Sequence, residues 1–297
     1  MPSDYYIYVN GFWNGFVDKT DANHIDFFEQ VFAQTKLRNY TITNNINKAN
    51  VLFESVFTSS LVNVKQWEYK IHYSGEPFVG NTSDYDLILF SSMTHTNIVD
   101  LPLFVYYIHG NSFMDKLIHR PIIRKVPDKF CCFIVSNGKC AIRNKMFEML
   151  NQYKKVHSYG KFNNNMNFNL PLDYWTDEFR EFISQYKFII CFENSKFGTY
   201  STEKIVNPYL AGIIPVYWAS SHIHNVFNSQ SMLFLENEDA DSYQTLLNRI
   251  IELDNSDDKY LEFVNRPIFN NNDYWKANYT ISAISHKIDG VIETISR

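Results

Sequence analysis

Short apolar runs that end on polar residues and lead into stretches of helical spacing recur along this chain, and they constrain its fold more than any other feature. The sharpest is KFIICFEN (187–194), rich in aromatic and β-branched residues until it closes on Glu193 and Asn194. A strand apolar on every side must be buried on both faces, and strands of that kind alternating with helices predict a parallel sheet covered by helices. Such sheets bind ligands outside the carboxyl ends of their strands, so the polar strand ends are where chemistry is expected.

In the first part, strands are expected at 5–10, 40–43, 49–54, 70–75, 85–91 and 103–109, with a helix around 24–36. A seam of polar, basic and proline residues follows at 110–128, placing a domain boundary near 125. Domains at 1–125 and 126–297 suit 297 residues, too many for one average domain. The second part reads as strand 129–137, helix 140–153, strand 156–160, helix 175–186, strand 187–194 and helix 202–212. Strand 214–218, a short helix at 222–228 and strand 231–235 come next, and helices fill most of 240–297. The last helix is expected to pack back on the amino-terminal domain. FNNNMNFN (162–169) reads as a polar surface loop.

A net charge of -5 gives no electrostatic footprint for nucleic acid, although a local basic pocket for a small anion stays compatible with it. The amino terminus has no basic region followed by an apolar stretch, and no apolar run reaches ~18 residues. A cytoplasmic location without stable membrane insertion is therefore expected, with peripheral association still compatible. Cys131, Cys132, Cys140 and Cys191 form no C-x-x-C pair, and Cys131, Cys132 and Cys191, inside apolar runs, read as small buried hydrophobes.

Two strand ends stand out, Ser136-Asn137 and Glu193-Asn194, each leading into a helix. Arg143 lies near the start of the first of these helices, where free N–H groups favour an anion, and its planar fork matches phosphate oxygens; a surface or capping arginine is the alternative. The segment TYSTEKI (199–205) offers hydroxyls, the Glu203 carboxylate and the Lys204 ammonium within a few residues. Glu203 can accept from both ribose hydroxyls, Lys204 can neutralise a phosphate, and Tyr200 can stack or donate, though an ordinary capped helix start looks the same. Asp84-Tyr85-Asp86 is formally a D-x-D motif and His222-x-His224 a histidine pair, but neither comes with further metal ligands.

The string KFIICFENSKFGTYSTEKIVNPYLAGIIPVYWAS resembles the signature of the α-1,3/4-fucosyltransferases, glycosyltransferase family 10. FIVSNGKCAIRNKMFEML is similar to the family's S-N…I-R-N helix, and YSGEPF (73–78) to its Y-T-G-E segment. The resemblance implies an α/β GT-B fold, two Rossmann-like domains facing each other across a cleft, with the donor in the carboxyl-terminal domain and an oligosaccharide or glycan acceptor against the other. It implies GDP-fucose as donor and an inverting transfer to a hydroxyl, O3 of an N-acetylglucosamine or glucose unit, with no cofactor and no metal required. Carried over, Arg143 and Lys204 face the diphosphate and Glu203 the ribose, while Ser136, Asn137, Glu193, Asn194, Tyr200 and Thr202 complete the donor site. Glu76 corresponds to the general base, a role its chemistry suits on its own terms.

Three departures qualify the match. Ser201 stands where the family has valine, YSGEPF lacks part of the usual acidic segment, and Pro208 interrupts the helix, predicting a late start or a kink. Two alternatives stay open: another nucleotide sugar on the same fold, or a carbohydrate-binding relative that has lost catalysis.

Overall fold

The computed structural model describes residues 4–168 and 170–295. Met1–Ser3, Asn169 at the end of the polar loop, and residues 296–297 at the end of the helical stretch lie outside the described residues.

The chain forms two compact units. The first runs to Ser112 and takes in Gly198–Tyr200 and the chain from Asn272 onward; the second comprises Phe113–Phe197 and Ser201–Asn271. The division thus falls after Ser112, where the sequence reading has it near 125. The physical reason lies at Phe113, whose ring carries the Arg180 guanidinium 4.8 Å away, so the seam segment packs with the second unit.

In the first unit the elements are β1 (Tyr5–Asn10), α1 (Asp26–Phe32), β2 (Tyr40–Ile42), β3 (Val51–Glu54), β4 (Tyr69–Ser74), β5 (Leu87–Phe90), β6 (Ile98–Asp100) and α2 (Leu103–Gly110). The six strands are parallel, in the order β2-β1-β3-β4-β5-β6. Phe28 of α1 anchors an aromatic core, its ring 5.0 Å from Phe53 and 4.9 Å from Tyr73. The run 103–109, expected as a strand, is helix α2. Its side chains from Phe104 to Ile108 are all buried, so it shows no amphipathic stripe, and a short apolar run of that kind does not distinguish strand from buried helix.

The second unit contains α3 (Phe113–Ile118), β7 (Lys129–Phe133), α4 (Ala141–Tyr153), β8 (Val156–Ser158), α5 (Asp177–Ile183), β9 (Tyr186–Ile190), α6 (Glu203–Ala211), β10 (Ile214–Tyr217), β11 (Leu233–Phe234), α7 (Ala240–Asp254) and α8 (Asp257–Val264). Its five strands are also parallel, in the order β11-β10-β9-β7-β8. Every residue of the central strand β9 is buried, as its unbroken apolar run requires. The short helix expected at 222–228 is a 3-10 turn at Ser221–Asn225.

Helix α6 starts at Glu203 behind the N-cap Thr202, and it runs through Pro208 to a left-handed C-cap at Gly212, φ 71°. It has no late start. A side chain at Gly212 would be strained in that conformation and would also stand 2.6 Å from Ile123. The chain ends with α9 (Asp273–Asn278) and α10 (Ile281–Ile295) in the first unit, where the buried Ser285 hydroxyl of α10 donates to the Val31 carbonyl of α1 at 2.9 Å.

Candidate functional site

The order of the second sheet changes direction between β7 and β9: from β7 the chain moves to one side for β8, then to the other for β9 and onward. Loops leaving the carboxyl ends of β7 and β9 therefore diverge, and the crevice between them is where a doubly wound sheet binds its ligand. A pocket of about 180 Å³ opens there. Residues 134–137 after β7, and residues 189–192 with Asn194 at and after β9, form one part of its lining. Arg143 of α4, Phe179 of α5, Glu203, Lys204, Asn207 and Pro208 of α6, and Tyr174 form the rest.

Arg143 is 1% exposed. It donates to the carbonyl of Asn137 at 2.6 Å, the carbonyl of Phe192 at 3.0 Å and the side-chain oxygen of Asn194 at 2.9 Å. Burying a guanidinium is costly, and here backbone and amide oxygens offset the lost hydration while both strand ends are tied to α4.

Glu193 is fully buried. Its carboxylate accepts from the Thr202 N–H at 2.7 Å, the Thr202 hydroxyl at 3.0 Å, the Tyr217 hydroxyl at 2.7 Å and the Lys204 ammonium at 3.2 Å. With its bonds directed inward, Glu193 braces the start of α6 instead of lining the pocket. Lys204 thereby pairs with two carboxylates, Glu193 at 3.2 Å and Glu203 at 3.6 Å. Burial and the nearby Glu193 charge hold the Tyr217 phenol well above its usual range, so it stays a donor to that carboxylate.

Of the residues singled out in the sequence, Ser136, Asn137, Arg143, Asn194, Glu203 and Lys204 come together around this pocket. Glu193 and Thr202 lie behind it. Tyr200 is buried and belongs with the first unit. Glu76 is also in the first unit, half-buried in the turn after β4. There the buried Ser74 hydroxyl donates to the Phe78 carbonyl at 2.6 Å and accepts from the Glu76 N–H at 3.3 Å, which fixes the backbone presenting the carboxylate. Tyr174 and Asn207 line the pocket and were missed by sequence reasoning. Tyr174 sits in an irregular stretch without periodicity, and its phenol is raised by burial and then by the Glu203 charge.

The D-x-D pair is spent on local structure: Asp84 closes an exposed 3-10 turn, and the Asp86 carboxylate accepts from the Lys70 N–H at 2.8 Å. His224 packs edge-on against Phe234, and burial lowers its pKa. All four cysteines are free and buried. Among the described residues, no helix is long and apolar enough to cross a membrane.

The model of the carboxyl-terminal region of glycosyltransferase family 10 (fucosyltransferase) matches residues 125–291. The chain belongs to glycosyltransferase family 10. It is 25% identical over 273 residues, 90% of its length, to a protein of Acanthamoeba polyphaga mimivirus named "Putative fucosyltransferase". It is 33% identical over 135 residues, 46% of its length, to an α-(1,3)-fucosyltransferase of Helicobacter pylori. It spans less than half of these curated relatives, 44% of the first and 27% of the second. A crystal structure of an α1,3-fucosyltransferase with GDP-fucose superposes with a TM-score of 0.70 at 21% identity, covering 99% of this chain and 91% of that one. Two parallel-sheet units and that superposition make this a GT-B fold.

Proposed function

We propose that the chain is an inverting fucosyltransferase that moves fucose from GDP-fucose to O3 of an N-acetylglucosamine or glucose unit in a glycan. The observation that carries this reading is the convergence of Arg143, Glu203 and Lys204 on one pocket at the switch point of the second sheet. Arg143 and Lys204 hold the diphosphate, and the N–H groups at the start of α4 and α6 add their dipoles. Glu203 takes the ribose hydroxyls; Ser136, Asn137, Asn194 and Tyr174 shape the remainder. Glu193 and Thr202 act through Lys204, and Tyr200 through the loop that carries it.

In the transfer, the acceptor O3 attacks the anomeric carbon of fucose as the bond from that carbon to the phosphate oxygen breaks. GDP departs with the electron pair, and the acceptor proton passes to the Glu76 carboxylate. The anomeric carbon inverts. Arg143 and Lys204 neutralise the charge growing on the diphosphate, the task a divalent ion performs elsewhere. Incubation with GDP-fucose and a set of lactose and N-acetyllactosamine acceptors, read by mass spectrometry, tests this. One deoxyhexose added to the acceptor is expected; transfer only from a UDP-sugar, or from no donor, contradicts it.

A further inference from the structure

The connector between β9 and α6 leaves the second unit at Gly198 and re-enters it at Ser201. In between, Gly198 and Thr199 lie against the ends of β5 and β6. Gly198 has φ +44°, and a Cβ there would stand 2.3 Å from the carbonyl oxygen of Ser91, so the backbone lies directly on that residue. The N–H of Thr199 donates to the same Ser91 oxygen at 3.2 Å. The Thr199 hydroxyl donates a short hydrogen bond to the Asp100 carboxylate, which also accepts from the Tyr279 hydroxyl at 2.6 Å. Thr199 is 4% exposed and Asp100 7%. A threonine bonded through both main chain and side chain, beside a glycine that admits no other residue, fixes the register of this segment within the fold. Three residues further on, Thr202 caps α6 and gives its N–H to Glu193.

We propose that Ser91 and Asp100 form a socket that registers the 198–200 segment, and that Thr199 and Asp100 are thereby positioning residues for nucleotide binding by Glu203 and Lys204. The inference rests on reading the pocket as the GDP site. Breaking the Thr199 to Asp100 bond frees the stretch leading into Thr202 and spreads Lys204 over orientations that miss the diphosphate. It leaves the two sheets untouched.

Calorimetric titration of GDP into the full chain and its variants, with melting curves alongside, tests the proposal. Thr199→Val removes only the hydroxyl and is expected to weaken GDP binding roughly tenfold, the loss of one charge-assisted bond. Thr199→Ser keeps the hydroxyl and restores affinity. Tyr279→Phe removes the other donor to Asp100 and lowers the melting temperature while GDP affinity holds. Should Thr199→Val fail to fold, Asp100→Asn reads the same contact and is expected to weaken binding several-fold. Wild-type affinity in Thr199→Val or Asp100→Asn overturns the proposal, as does an equal affinity loss in Tyr279→Phe. A wild-type chain that does not bind GDP overturns the donor-site reading, and the socket's role with it.

Discussion

The Arg143 guanidinium reaches from α4 to the side-chain oxygen of Asn194, 2.9 Å away beyond the end of β9, and so joins the two sides of the switch-point crevice. Its other donors go to backbone oxygens of Phe192 and Asn137. A lysine ammonium keeps its donors on a single nitrogen and cannot span the oxygens that Arg143 reaches from two separate nitrogens. Arg143→Lys is therefore expected to lose about 1–3 kcal/mol of stability in a urea melt and to weaken GDP binding by roughly tenfold or more. Unchanged stability would show that the fork carries no structural role.

Glu76 belongs to the first unit, and the donor-pocket residues belong to the second. Glu76→Gln keeps the shape of the turn held by Ser74 and removes only the proton acceptor. GDP affinity should stay at the wild-type value while transfer falls by roughly 10²-fold or more, the usual share of a general base. Turnover at the wild-type rate would remove Glu76 from the mechanism.

Charge on the departing diphosphate is assigned to Arg143 and Lys204. Transfer in excess EDTA should accordingly proceed within about twofold of the untreated rate, whereas an enzyme relying on a Lewis-acid ion loses most of its activity. Loss of transfer on chelation and its return with a divalent ion would contradict that assignment.

His72 on β4 is 2% exposed and stacks on Tyr85 with centroids 4.5 Å apart. Burial lowers its pKa to about 4, against the pull of the nearby Glu54 carboxylate. An unfolded histidine titrates near ~6.5, so between that pH and about 4 the unfolded chain binds more protons and stability falls as the pH drops. The full loss below the window is about 3 kcal/mol. Burial pushes the Glu54 carboxyl up, but the bonds from Leu61, Ser60, Tyr85 and Asn10 together outweigh it and leave it lowered, so its contribution is lost below 4.5, under most of this range. Urea midpoints at pH 7.5 and pH 5 should differ in the wild type and by less in His72→Phe, the remainder coming from His109, His157 and His224, which burial lowers in the same sense. Equal pH dependence in both would assign the acid sensitivity elsewhere.

The alternation of buried strands and helices, and the two strand ends that carry the donor residues, were legible because a parallel sheet writes its strands as unbroken apolar runs. Helix α2 was not, since a run apolar on all sides has no period to read. β6 was missed as well, because three residues are too few to show a period between the runs on either side. At the site, the sequence places Glu193 next to Asn194 and gives both the same role. Only the fold separates them, turning Glu193 inward to Thr202, Lys204 and Tyr217 while Asn194 faces the pocket. Tyr174 and Asp100 had no local signal, because each gains its meaning from residues distant in the chain.

The convergence of Arg143, Glu203 and Lys204 is tested most directly by titrating GDP, GDP-fucose and UDP-sugars calorimetrically into the wild type and Lys204→Met. GDP and GDP-fucose should bind the wild type and lose roughly tenfold or more in affinity in Lys204→Met, with UDP-sugars silent in both. Binding of UDP-sugars alone, or GDP affinity unaltered by Lys204→Met, would contradict a GDP-sugar site in this pocket.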